Sequence, residues 1–143
     1  MSNMKDTINS LIDTIEDFLK IDQDAVDWDT KPAPDKWSKK ETVGHLIDSA
    51  QINLQRFVRC TYEENFKLKY AQDEWVAAQQ YQGADIKELL DLWILINRQI
   101  IRVLGYYPAN RLQVSYDGDS SHTVEWVAAD YVRHMKHHLA QIG

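Results

Sequence analysis

Little in this chain interrupts a helix. Its 143 residues include only 5 Gly and 3 Pro, too few for the closely spaced turns of an all-β sandwich or barrel. The single cysteine, Cys60, rules out an internal disulfide and any paired-cysteine zinc motif. It reads as a small buried residue, not a nucleophile. No apolar run approaches the roughly 20 residues a membrane-crossing helix needs. The first residues, Met1 to Asp6, lack the apolar stretch of a signal peptide, so the expected location is the cytoplasm. An excess of positive charge is also missing. With 22 acidic against 16 basic side chains the net charge is −6, whereas binding a phosphate backbone draws on a basic patch. Nucleic acid is therefore not an expected partner. There is no glycine-rich phosphate loop, internal repeat or low-complexity tract. What is abundant is apolar surface: 44% hydrophobic residues, 5 Trp and 7 Tyr among them, enough for one domain with a substantial core.

Four segments repeat apolar residues at spacings of three and four. The first runs from about Met4 to Ile21, through Ile8, Leu11, Ile12, Ile15, Phe18 and Leu19. The second starts behind Ser38, with Glu41 at capping-box spacing, and reaches about Tyr62. The third opens at Asp85 and carries Leu89, Leu90, Trp93, Ile96, Ile100 and Leu104, with Gly105 as its expected C-cap and Pro108 forbidding continuation. The fourth runs from near Thr123 to about Gln141. Residues 73–78 suggest a short helix or turn within the long stretch between the second and third helices. Leu112, Val114 and Tyr116 alternate before a turn signal at Asp117-Gly118, the pattern of a small hairpin. The expected fold is an all-α four-helix bundle. The connection between the second and third helices is the longest, and a crossover of that length can leave those two helices parallel.

Three of the five histidines, His134, His137 and His138, fall in the last ten residues. At 100° per residue, Val127, Tyr131 and His138 lie within roughly 60° of His134, so the i, i+4 pair His134/His138 faces the core while Lys136 faces away. In the second helix, His45 shares an inward stripe with Leu46, Ser49, Ile52, Asn53 and Arg56. That stripe is unusually polar, and buried polar groups need partners. Three neutral imidazoles plus an open position form the arrangement of catalytic zinc sites, with Ser49, Asn53 and Arg56 as candidate substrate-binding residues. Asp48, on the next flank, is the candidate to orient a ligand histidine or act as a base, and the inward Tyr131 hydroxyl is a candidate donor. Another reading explains the same residues without metal: His45 as a hydrogen-bonded core residue, and His137 and His138 as partners of the helix dipole. His122, after Ser120 and Ser121, reads as a solvated residue with no nucleophile elbow.

The segment Trp37-Ser-Lys-Lys-Glu-Thr-Val-Gly-His45-Leu-Ile-Asp48 resembles the W-S-x-x-E-x-x-x-H-L-x-D signature of the DinB/YfiT-like superfamily. The run His134-Met-Lys-His-His138-Leu-Ala-Gln-Ile142 resembles that family's closing H-x-x-H-H-x-x-Q-I. Gln72 to Val76 also looks like it, so the resemblance spans nearly the whole chain. It implies an up-down-down-up four-helix bundle. It also implies a divalent metal ion, often zinc or nickel, held by His45, His134 and His138, with His137 in a position that is not normally a ligand. Homodimers are common in the family. Its characterised members include metal-dependent transferases and isomerases that use low-molecular-weight thiols, together with hydrolases. The resemblance leaves the substrate open. Two expectations follow: a small enzyme whose metal activates water or a thiol for a small-molecule substrate, or a stress-associated scaffold with a structural histidine cluster.

Overall fold

A computed structural model of the chain describes residues 3–116 and 122–143. Among these residues five α-helices form: α1 (Met4–Leu19), α2 (Lys39–Arg59), α3 (Gln72–Gln79), α4 (Ile86–Gly105) and α5 (Val124–Ile142). Side-chain caps fix four of the starts. Asn3, Ser38, Asp85 and Thr123 each accept a bond from a backbone N–H in the first turn, satisfying donors that have no partner within the helix. At Ser38 the capping box is complete: Glu41 N–H donates to Ser38 Oγ, and Ser38 N–H donates to Glu41 Oε1, both at 3.0 Å. Among the described residues no helix is long and apolar enough to cross a membrane.

The helix ends differ from the periodic pattern by a turn or less. α1 stops at Leu19 because the N–H groups of Lys20 and Ile21 tighten onto Asp17 and Phe18. α2 stops at Arg59, where Thr61 and Tyr62 bond three residues back in the same way. Gly105 is the last residue of α4, and Tyr106 caps it at φ −113°, so no left-handed glycine cap is used. Where the hairpin is expected, the described residues show an antiparallel bridge between Ser115 and Thr123; its Asp117-Gly118 tip, like Ser120 and Ser121, lies outside the described residues. His122 is half-buried rather than solvated. The bridge lays its ring on Trp126, with centroids 4.2 Å apart, and beside Tyr116.

Contacts along the helices give the topology. α2 and α4 run parallel: Ser38 Oγ donates to Gln82 just before α4 starts, while Tyr107, just after α4 ends, donates to the carbonyl of Phe57 near the end of α2. α1 runs antiparallel to α4, with Phe18 edge-on to Trp93 at 5.6 Å. α2 runs antiparallel to α5, with His45 meeting His134 and Phe57 meeting Tyr131. The bundle is therefore up-down-down-up, with α3 packed on α2 within the crossover. Leu11, Ile47, Ala50, Trp93, Ile100, Ala128 and Met135 are among the residues closing the core. Asn97 is fully buried, donates to Trp93 O at 2.8 Å and accepts from the Tyr131 hydroxyl at 2.6 Å.

The crossover is fastened to the first half of α2. Gln80 ends α3 in the left-handed conformation, at φ 56°, and the chain on either side of it returns to α2. Gln79 and Tyr81 both donate to Asp48 Oδ1, at 2.9 and 2.5 Å. Gly44 explains how Tyr81 fits there: a Cβ at Gly44 would sit inside the Tyr81 ring. Alanine at a mid-helix glycine ordinarily gains about 0.5–1 kcal/mol. Here the expected sign is reversed. Gly44→Ala forces Tyr81 off α2 and should cost about 1–3 kcal/mol, as overpacking does. Urea unfolding of the variant measures this, and a midpoint at or above that of wild type would refute the contact.

Candidate metal centre

Three imidazoles meet where the first half of α2 passes the second half of α5. His45, two turns into α2, is fully buried. His134 and His138, one turn apart on α5, are half-buried. The Nε2 atoms of His45 and His134 lie 3.5 Å apart, and those of His134 and His138 lie 3.1 Å apart. All three ligand atoms fall within 4.8 Å of one another. Tetrahedral coordination with Zn–N bonds of about 2.0–2.1 Å sets neighbouring nitrogens roughly 3.3–3.4 Å apart, a value between the two short separations. Among the described residues no carboxylate or thiolate joins this group. The donor set is therefore three imidazoles, which suits zinc, copper, iron or nickel.

Protonation favours the same role. Burial, then the closeness of His138 and His134, lowers the pKa of His45 to about 3. His134 and His138 are shifted in the same direction, again chiefly by burial. All three rings are thus neutral near physiological pH, which is the ligating form. His45 Nδ1 lies 3.2 Å from the Tyr70 hydroxyl, with the two rings 3° from parallel. Were a metal held on Nε2, Nδ1 would carry the hydrogen and donate to the tyrosine oxygen, the kind of outer contact that fixes a ligand ring. The indole of Trp37 packs against the cluster, 4.7 Å from the His45 ring and 6.5 Å from that of His138. His138 Nδ1 is buried without a partner. His137 is exposed and lies 3.5 Å from Gln141.

A cavity of about 160 Å³ opens beside His134. Ser49, Asn53 and Arg56 line it from α2, and Tyr131 and Asp130 from α5. The residues read from sequence as substrate-binding therefore share one space with His134 of the cluster. Tyr131 borders that space, but its hydroxyl is committed to Asn97. Asp48 stands apart from the cluster. It is fully buried, one oxygen is held by Tyr81 and Gln79, and the other has no partner. Burial, opposed by those two bonds, raises its pKa. Tyr70, which takes the place beside His45, is invisible to periodicity because it lies in the aperiodic crossover. Cys60 is buried at the end of α2, and burial pushes its thiol up to about 11, as an inert residue requires.

A family model described as the DinB superfamily matches residues 8–142. No curated protein matches the chain. Among solved structures the chain is similar to YfiT from Bacillus subtilis, described as "a probable metal-dependent hydrolase with an unusual four-helix bundle topology". The TM-score is 0.79 at 21% identity, over 97% of this chain and 83% of that one. At that identity the likeness establishes the fold.

Two outcomes are expected at the cluster. Tyr70→Phe removes the acceptor of His45 Nδ1–H and should weaken zinc binding about 10–100-fold with the fold intact; competition against a chromophoric chelator measures it, and unchanged affinity would discard the tyrosine's role. The second outcome concerns pH. A histidine in the unfolded chain titrates near 6.5, so with the His45 pKa at about 3 the unfolded state binds more protons between those values. Stability supplied by neutral His45 is complete above 6.5 and is lost as pH falls toward 3. The metal-free protein should lose unfolding free energy across that window, and His45→Gln should flatten the loss. Equal slopes in denaturant melts would exclude His45 as the source.

Proposed function

The chain belongs to the DinB superfamily, and from that membership and the site geometry we propose that it is a metal-dependent enzyme acting on a small molecule, with hydrolysis as its first chemistry. One observation carries this reading: three neutral imidazoles from two helices turn their Nε2 atoms to one point, beside a cavity that one of them lines. The description of YfiT as a probable metal-dependent hydrolase supports it. Zinc is the first choice of ion and nickel the second. A divalent ion held there would supply Lewis acidity, lowering the pKa of a water or of a thiol.

The residues of this chain divide the remaining tasks. His45, His134 and His138 hold the ion, and Tyr70 holds the His45 ring. Trp37 keeps water from one side of the cluster. Ser49 and Asn53 present polar atoms along the cavity, and Tyr131 forms part of its wall. Asp48 acts as a positioning residue, fixing Tyr81 and Gln79 and, through them, the crossover that bears Tyr70.

A second reading, transfer of a low-molecular-weight thiol to an electrophile, has its own support. Asp48 is engaged by Tyr81 and Gln79, so no carboxylate hydrogen-bonds the cluster as a general base among the described residues. A thiol ionised by the metal needs none.

The test is metal analysis after mild purification, with wild type compared to the His134→Ala/His138→Ala double variant. Wild type should hold about one zinc or nickel per chain and the double variant almost none. Zinc-loaded protein is then assayed for amide and ester hydrolysis and for thiol conjugation, with and without chelator. Chelator-sensitive hydrolysis supports the first reading, and chelator-sensitive conjugation the second. Metal binding with neither turnover would leave a scaffold with a structural metal, and equal metal content in the two proteins would remove the site.

A further inference from the structure

The cavity beside His134 also contains a cation that, among the described residues, has no carboxylate within ion-pair distance. Arg56 lines it from α2 and is half-buried. Its Nη1–H donates to Asn53 Oδ1 at 3.3 Å and its Nη2–H to the carbonyl of Leu68 at 3.4 Å. Both acceptors are neutral, and both distances exceed the roughly 2.7–2.9 Å of a charge-assisted bond. Its Nε–H is buried and has no acceptor, and its guanidinium lies 4.9 Å from the centre of the Tyr116 ring. Arg59, Arg111 and Arg133 each pair with a carboxylate, whereas among the described residues none lies within ion-pair distance of Arg56. Asp130, the carboxylate in the cavity wall, sits one turn before His134 and turns to Arg133 at 3.3 Å.

The antiparallel packing of α2 and α5 separates the two ends of this space. On α2, Ser49 and Arg56 are seven residues apart, roughly 10 Å along the axis. On α5 the same length runs from Trp126 and Val127 to His134. One end is therefore histidine and the other arginine, and the volume matches that of cavities that admit a molecule the size of benzene. Asn53 is itself fixed, donating to Ser49 O at 2.8 Å, so its oxygen holds the guanidinium in place along the wall.

We propose that Arg56 receives the carboxylate of a small-molecule substrate whose reacting group lies at the histidine end. This rests on the metal-enzyme reading above. Arginine suits the task because its planar fork pairs with a carboxylate through two parallel bonds, and in a partly enclosed cavity such a pair gains over the long neutral contacts it replaces.

Two probes of one shape decide it: N-acetylglycine, which carries a carboxylate, and its neutral amide. Each is titrated into zinc-loaded and chelator-treated protein, with binding followed by calorimetry and by the Arg56 Nε–H signal in nitrogen-15 spectra. The carboxylate should bind at least tenfold more tightly than the amide and should shift the Arg56 signal in both preparations. Arg56→Met should bring the two probes within about twofold while zinc content stays as in wild type. Arg56→Lys should restore part of the preference. Equal binding of the two probes to wild type, or a full preference surviving in Arg56→Met, overturns the proposal, the latter by placing the anion on the histidine cluster. If Arg56→Met does not fold, an Arg56 signal unmoved by N-acetylglycine in wild type overturns it equally. Because preference is also measured on metal-free protein, absence of zinc from wild type would sink the metal reading without deciding this one.

Discussion

Polar side chains can be buried only when each finds a partner, and α2 buries His45, Asp48, Ser49 and Asn53 within four turns. That requirement organises the molecule. His45 finds His134 on one side and Tyr70 on the other. Asp48 finds Gln79 and Tyr81. Asn53 bonds back to Ser49 and forward to Arg56. Apart from α5, the long-range partners Tyr70, Gln79 and Tyr81 all come from the segment between α2 and α4. The crossover is thus both a topological link and the second wall of the site.

The parallel placement of α2 and α4 follows from the same segment. A tight turn after α2 would send the next helix back antiparallel. Here the chain returns to the start of α2 before α4 begins, and this takes it past His45 and Asp48. α3, the left-handed Gln80 and the single turn Tyr81–Gly83 form this return path. Gly44 is where the path touches α2 most closely. A glycine in mid-helix sacrifices helix propensity, and here it leaves room for the Tyr81 ring, whose hydroxyl donates to Asp48.

The parts of this arrangement that obey a helical period could be read from sequence. The His134/His138 pair stood on the core stripe of its helix, and His45 on a stripe whose polarity required explanation. Ser38 and Glu41 announced the start of α2, and both bonds of their box are present. Features that depend on chain return could not be read. Tyr70 sits among residues with no period, so nothing local marks it as a neighbour of His45. Asp48 stands on the flank of the His45 stripe, which makes it a candidate to orient a histidine, yet its hydrogen-bond partners are Gln79 and Tyr81. Trp37 precedes the helical period of α2, and its position over His45 depends on how the loop before α2 approaches the bundle. His122 looked solvated because the bridge between Ser115 and Thr123 joins two short segments with little pattern of their own.

Taken together, α2 presents His45, Ser49, Asn53 and Arg56 in successive turns, and the antiparallel α5 answers with His138, His134, Tyr131 and Val127 in the reverse order. Reversal sets the histidine cluster at one end of the shared space and the guanidinium at the other. A parallel pairing of the same two helices would bring Arg56, in place of His45, alongside His138 and His134, setting a positive charge where the third imidazole now sits. Antiparallel packing instead sets Arg56 eleven residues beyond His45 on α2, roughly 16 Å along the axis, so the imidazoles gather at one end of the helix pair and the guanidinium stands toward the other.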